Sequence, residues 1–186
     1  MTDAHATVPI VSRSRLEFLV DGVFAIALTI LVLELKVPEL HDSRSIAELR
    51  QALAHEVPTY LSYLASFVLL GVFWYRHNRQ YEHFRVITTG MLVLHFVQLA
   101  ACASLPFCAA LIGRYPVNGF SMVVYLACIL VYAWASAATW IMAQRAGAMN
   151  AALTEAVYVR SRQRWIRGCV VITSLFVLHL IRVLAS

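Results

Sequence analysis

The sequence predicts an all-α polytopic membrane protein with five clear transmembrane helices. Three observations predict it. Of 186 residues, 61% are apolar and only 13% charged, where a soluble domain averages about 45–50% and about 25%. The apolar residues gather in five runs, each long enough at about 1.5 Å per residue to cross about 30 Å of hydrocarbon. No strand-like alternation competes with those runs. This composition excludes an ordinary soluble domain, a disordered chain and a soluble nucleic-acid binder. Residues 1–186 read as a single transmembrane domain, with the lipid bilayer as partner and no room for a separate soluble unit.

The first run, 16–35, is broken only by Glu17, Asp21 and Glu34. It is too long for a signal-peptide core, and Lys36-Val37-Pro38 follows it in place of a small-residue cleavage site. The next loop carries Glu39, Asp42, Glu48 and Glu56, with residues 45–55 expected as a short surface helix. The second and third spans are expected at 57–75 and 86–112, the third broken by Pro106, and the fourth at 119–143. Residues 144–164 are polar and predict a helical linker before the fifth span, 165–184. In that stretch Arg160, Arg162, Arg164 and Arg167 do not recur every third residue along an apolar helix, as a voltage sensor requires. Cys102, Cys108, Cys128 and Cys169 lie in apolar stretches without a C-x-x-C pair and read as small buried hydrophobes.

The net charge is +5. Ten of the fifteen Lys and Arg residues fall on one side of the predicted spans, namely Arg13, Arg15, Arg76, Arg79, Arg85, Arg145, Arg160, Arg162, Arg164 and Arg167. Lys36, Arg44, Arg50, Arg114 and Arg182 fall on the other. The positive-inside rule therefore places the N-terminus in the cytoplasm of a multi-pass protein of the cell's inner (plasma) membrane.

The first span holds most of the functional information. At about 100° per residue, Arg15, Leu19, Gly22, Ile26, Ile30 and Leu33 form one straight stripe, with Thr29 on its shoulder. Asp21 lies about 140° from Ile26, nearly opposite. A carboxylate about 9 Å inside a span is costly without a partner. The second span ends on the same side with Trp74 and His77, both able to donate hydrogen bonds, while Arg15 and Glu17 are near in sequence. Arg15, Asp21, Trp74 and His77 thus read as a polar latch between the first two spans. The rival reading is a proton relay through Asp21 and His77, in a proton-permeable channel or a secondary ion transporter. The stripe itself, on periodicity alone, is compatible with ordinary helix packing.

Enzyme chemistry has no support. The seven histidines are scattered, and neither H-E-x-x-H nor a carboxylate pair at catalytic spacing occurs. No cofactor motif is present. A transporter usually shows interrupted helices in two related halves, and Pro106 has no counterpart. His95 and Gln98 share the third span and predict an interhelical hydrogen bond.

The residues resemble one known family, the transmembrane protein 175 family of potassium channels in its short prokaryotic form. The family's first helix carries R-x-x-x-F-S-D followed by a run similar to G-V-F-A-I-A-x-T-L-L-V-L-E. Arg15 and Asp21 match its ends, and residues 22–27, Thr29 and 31–34 match most of the run. Gly71, Phe73, Trp74 and His77 are similar to the family's G-x-F-W-x-x-H. Leu105-Pro106-Phe107 and Gly113-Arg114-Tyr115 are similar to its L-P-F and G-x-Y elements. The resemblance covers roughly residues 13–145. The Phe and Ser of the F-S-D element are Leu19 and Val20 here, so any bond made by that Ser is lost. The family also has six spans per subunit where this sequence shows five, and a sixth would return the C-terminus to the cytoplasm.

The resemblance implies a homo-oligomer, a tetramer in bacteria, with the first helix of each subunit lining a central pore. It implies Ile26, Ile30 and Leu33 as the pore and gate, with Thr29 adjacent; the stripe coincides with those positions. Rings of branched aliphatic side chains can stop ions without a charged gate. No T-V-G-Y-G segment is present to build a carbonyl filter, so selectivity would fall to pore size, the constriction and the Thr29 hydroxyls. Glu34 would stand at the outer mouth. The expected function is a hydrophobically gated channel passing K+, with K+ as the permeant ion and no cofactor.

Overall fold

The computed structural model describes residues 12–150 and 155–185. Six helices occupy them: α1 (Arg13–Leu31, continued by a 3-10 turn Val32–Glu34), α2 (Ile46–His55), α3 (Val57–Tyr81), α4 (Thr89–Arg114), α5 (Gly119–Arg145) and α6 (Glu155–Leu184). Five segments are long and apolar enough to cross a membrane: α1 with its 3-10 turn, α3, α4, α5 and residues Ile166–Leu184 of α6. No β-strand occurs among the described residues, as a bilayer demands of spans that must satisfy their own backbone.

Helix starts follow side-chain chemistry. The Thr88 hydroxyl accepts from the Met91 amide to open α4, and the Asn118 side chain accepts from the Phe120 amide to open α5. Pro58 stands in the first turn of α3, where a missing amide costs nothing. α5 stops at Gly147, whose φ of 60° only glycine adopts freely; the Ala148 amide then reaches back to the Ala143 carbonyl. The short α2 appears where the loop predicted it. Its Ser45 hydroxyl accepts from the Glu48 amide, while the Glu48 carboxylate accepts the amides of His41 and Asp42 at 2.7 and 3.1 Å.

The helices outrun the apolar windows in two places. α3 continues past residue 75 to Tyr81 because its polar tail is buried: Gln80 and Ser136 of α5 exchange two hydrogen bonds of 2.9 Å. The fifth span is the second half of a longer helix, so part of the expected linker 144–164 belongs to α6, while 151–154 lie outside the described residues.

α4 is the central helix, packed against α1, α3 and α5, while α6 packs on α5. The main core joins Val20, Phe24, Ala27 and Leu31 of α1 to Leu70 and Phe73 of α3, to Leu99, Cys102 and Leu105 of α4, and to Tyr132 of α5. Tyr132 stacks on Phe73 at 3.9 Å and donates its hydroxyl to the Phe73 carbonyl. A second cluster, Leu16, Tyr81, Phe84, Met91 and Trp140, closes the end near the N-terminus. There the 3-4 loop is pinned to the chain after α5 by Arg85 N–H to the Ala148 carbonyl and Asn150 N–H to the His83 carbonyl. Small residues let α6 approach α5, with Cys169 against Ala133 and Ala137.

At the opposite end α3 and α4 touch closely: a Cβ on Gly113 would lie 2.9 Å from the Thr59 Cα. Gly113→Ala should therefore destabilise the protein by about 1–3 kcal/mol, read as a lower melting temperature in detergent. Gly71→Ala, with nothing within 4 Å of its Cβ, should not.

The two amides on Glu48, His41 first, hold its carboxyl below the usual carboxylate range. A depressed folded pKa gives order that is complete above the unfolded value and fades as pH falls through the folded one. Hydrogen-exchange protection at His41 and Asp42 should accordingly persist at neutral pH and drop in strong acid, and Glu48→Gln should weaken it at neutral pH and match wild type in strong acid.

Candidate functional site

α1 has two unlike faces. Leu16, Val20, Phe24, Ala27 and Leu31 are buried against α3 and α4, spaced three and four residues apart as one helical stripe. Val23 and Leu28 are half-buried at the edges of that stripe, and much of the remaining helix surface is uncovered by its own subunit. Leu19, Gly22, Ile26, Thr29 and Ile30 are all exposed, Ile26 to 59%. Phe18 and Ala25, which continue the exposed arc toward Asp21, are exposed as well. An apolar arc this wide, on a helix already packed along its other side, is a surface for lipid, for another subunit or for a pore.

Leu33 keeps its exposure, at 71%, but not its place on a regular α-helix. The chain tightens to a 3-10 turn after Leu31, so the angles of Val32, Leu33 and Glu34 differ from those of an ideal wheel, and Val32 is exposed too. Thr29 donates its hydroxyl proton within its own helix, to the carbonyls of Ala25 and Ile26 at 3.0 and 2.9 Å. Its oxygen lone pairs remain free to face outward. Glu34 is half-buried beside the ends of α3 and α4, where it shares a cavity with Lys36, Glu56 and Arg114.

The structure divides the four residues of the expected latch. Trp74 Nε1 donates to Asp21 Oδ1 at 2.8 Å, joining α3 to α1. His77 takes no part in that bond. It lies three residues on, turned about 60° around α3, and is only 1% exposed, inside the bundle. Arg15 is exposed and bonds to no side chain among the described residues, while its neighbour Arg13 pairs with Glu17 at 2.7 Å and reaches the Phe84 carbonyl. The latch is thus a two-residue contact without Arg15, and the basic residue of α1 that does pair, Arg13, pairs one turn along its own helix.

His77 belongs to a second group that the sequence left scattered. Its ring lies 4.7 Å from Tyr81 and 5.2 Å from His95 of α4, and Tyr81 lies 4.9 Å from His95. Gln98 interacts with His77 and donates to Thr139 of α5 at 3.0 Å, which is the interhelical bond expected of the third span. The i,i+4 spacing of His77 and Tyr81 and the i,i+3 spacing of His95 and Gln98 are the signals that put these polar groups on facing stripes. Among the described residues no three His, Cys, Asp or Glu side chains converge as a metal site.

Similarity to known proteins runs from α1 into α4. Residues 15–106 match the family described as endosomal/lysosomal potassium channel TMEM175. A potassium channel of Streptomyces collinus is 32% identical over 101 residues, 54% of this chain and 48% of the relative. A potassium channel of Chamaesiphon minutus is 33% identical over 134 residues, 67% of this chain and 66% of the relative. The endosomal/lysosomal proton channel TMEM175 of Homo sapiens is 33% identical over 100 residues, 51% of this chain and 20% of the relative. The chain thus spans about half the length of the Streptomyces relative and less of the human one. The crystal structure of a lysosomal potassium-selective channel TMEM175 homolog from Chamaesiphon minutus superimposes with a TM-score of 0.77 at 26% identity, covering 93% of this chain and 89% of that one.

The contact between α1 and α3 makes a prediction. Trp74→Phe keeps the ring and removes the donor, leaving the Asp21 carboxylate without it. Because the pair is open to its surroundings, the cost should be about 1 kcal/mol, read as a lower thermal midpoint. Asp21→Asn keeps an acceptor and should cost less. Equal midpoints for Trp74→Phe and wild type would mean that the bond holds nothing.

Proposed function

The chain belongs to the TMEM175 family, and from that premise we propose that it is one subunit of a potassium-permeable channel whose pore is lined by α1. The observation that carries this reading is the uncovered stripe of Ile26 and Ile30, on a helix whose other face is already committed to its own subunit. One α1 cannot enclose a passage, so the subunits close into a ring, a homotetramer by the family's pattern. The ring sits in the cell's inner membrane with the N-terminus in the cytoplasm. K+ is the permeating species, and no cofactor is needed.

Four Ile26 side chains around an axis leave no polar group to replace the water of an ion. The closed state is then a dewetted constriction, relieved by a small outward or rotary movement of α1. Ile30 and Leu33 extend the apolar lining. Thr29 supports selectivity: its proton is held by its own helix, so its lone pairs can meet a cation beside the constriction. Glu34, at the outer end of this lining, shares a cavity with Lys36, Glu56 and Arg114, so the mouth is not assigned its charge.

A second reading, proton permeation, is favoured by one specific feature. Two histidines, a tyrosine and a glutamine meet inside the subunit, away from the α1 stripe. Animal relatives are named proton channels. In this reading the route runs by His77 and His95, and Asp21 stands at its edge.

Liposome fluxes of K+, Na+ and H+ compared side by side test both. Ile26→Asn should wet the ring and raise basal K+ flux about tenfold, the equivalent of about 1.4 kcal/mol of barrier, while Ile26→Met stays near wild type. Thr29→Val should assemble normally and lower the K+ to Na+ ratio. The pore reading is falsified if Ile26→Asn assembles and conducts no more than wild type. Proton flux abolished by His95→Phe with K+ flux intact would establish the second route.

A further inference from the structure

A cavity of about 630 Å3 opens at the end of the bundle opposite the N-terminus, between the 3-10 turn after α1, the start of α3 and the end of α4. Four charged side chains line it: the carboxylates of Glu34 and Glu56 and the cations of Lys36 and Arg114. Phe107 and Leu111 line it too, one to two turns below Arg114 toward the middle of α4. Among the described residues the ion pairs are Arg13–Glu17 and Arg79–Glu82, so these four charges face one void without pairing across it. Glu56 is held in place by the Thr59 hydroxyl, which donates to it at 3.0 Å. Gly113, without a Cβ, lets α4 lie against Thr59 in the same wall of the cavity.

Two negative and two positive groups, held apart around one space, complement a ligand that carries both charges. The position adds a further constraint. The charges sit where the spans end, in the headgroup layer, and the apolar wall descends into the hydrocarbon. We propose that this cavity is a headgroup site for a zwitterionic aminophospholipid. Its primary ammonium binds Glu34 and Glu56, its phosphate binds Lys36 and Arg114, and an acyl chain lies along Phe107 and Leu111. A primary ammonium offers three N–H donors to carboxylates, whereas a quaternary ammonium offers none. An anionic lipid would satisfy the cations and leave both carboxylates opposed to it. Ethanolamine phospholipids are therefore preferred over choline and glycerol ones. The site is complete within one subunit and does not rest on the pore reading.

Native mass spectrometry of the full-length protein in detergent tests this, with dioleoyl phosphatidylethanolamine, phosphatidylcholine and phosphatidylglycerol offered in turn. Phosphatidylethanolamine should be retained about tenfold more strongly, the value of one charge-assisted hydrogen bond. Glu34→Gln and Glu56→Gln should each reduce that preference, whereas Arg114→Gln should lower retention of all three lipids. Lys36→Gln, on an exposed coil, should do the same in a protein whose fold is undisturbed. Phe107→Ala should reduce retention of the lipid, and soluble phosphoethanolamine should compete poorly. Equal retention of the three lipids, preference for phosphatidylglycerol, unchanged preference in Glu56→Gln, or unchanged retention in both Arg114→Gln and Lys36→Gln would overturn the proposal. Displacement of the lipid by soluble phosphoethanolamine at matched concentration would overturn the lipid as the occupant.

Discussion

α1 is gripped by its own subunit along one stripe, and that grip sets the rest of the structure. Leu16, Val20, Phe24, Ala27 and Leu31 fill the groove between α3 and α4. In lipid there is no hydrophobic gain from merely bringing helices together, so this contact depends on close packing. Having used one side of α1, the subunit has nothing left with which to cover the other. The side left bare is apolar and carries Ile26 and Ile30. What meets it comes from outside the subunit, and a ring of identical copies is the arrangement in which every copy of that face is met in the same way.

Around α1 the scaffold is tied by polar contacts buried between helices. Gln80 and Ser136 link α3 to α5, Tyr132 reaches the Phe73 carbonyl, Ser62 bonds the Ala109 carbonyl, and Gln98 joins α4 to Thr139. None of these involves α1. Among the described residues its side-chain hydrogen bonds to the scaffold lie in its first half, through Trp74 to Asp21 and Arg13 to the Phe84 carbonyl. A helix with few specific bonds and apolar packing along its length is the one suited to the gating movement proposed for α1.

Much of this was legible in the sequence, because a bilayer makes composition decisive. The five spans, the short helix before α3, and the stripe on α1 follow from hydropathy and a 3.6-residue period. Asp21 could be assigned a partner on the second span because a carboxylate at that depth needs one, and Trp74 supplies it. What the sequence hid was depth of another kind. His77 and Trp74 lie three residues apart and equally near Asp21 in sequence, yet one meets the carboxylate and the other turns into the bundle against His95. Only the packing of α3 on α4 separates them. The extent of α3 was hidden for the same reason: Gln80 reads as a surface residue until Ser136 is placed opposite it. The 3-10 turn at Val32–Glu34 carries no residue signature, so the angle of Leu33 was fixed by the fold alone.

The central claim is that the stripe through Ile26 and Ile30, and not the adjoining arc of Phe18 and Ala25, faces the permeation path. Single cysteines at these four positions, in a chain whose half-buried Cys128 is serine, can be treated with a charged thiol reagent while K+ flux is recorded in liposomes. Modification of Ile26→Cys and Ile30→Cys should change the flux severalfold, and K+ should slow the reaction, while Phe18→Cys and Ala25→Cys react without effect on flux. A change in flux on modifying Phe18→Cys or Ala25→Cys, with Ile26→Cys and Ile30→Cys silent, would contradict it and turn α1 by about a quarter of a circle.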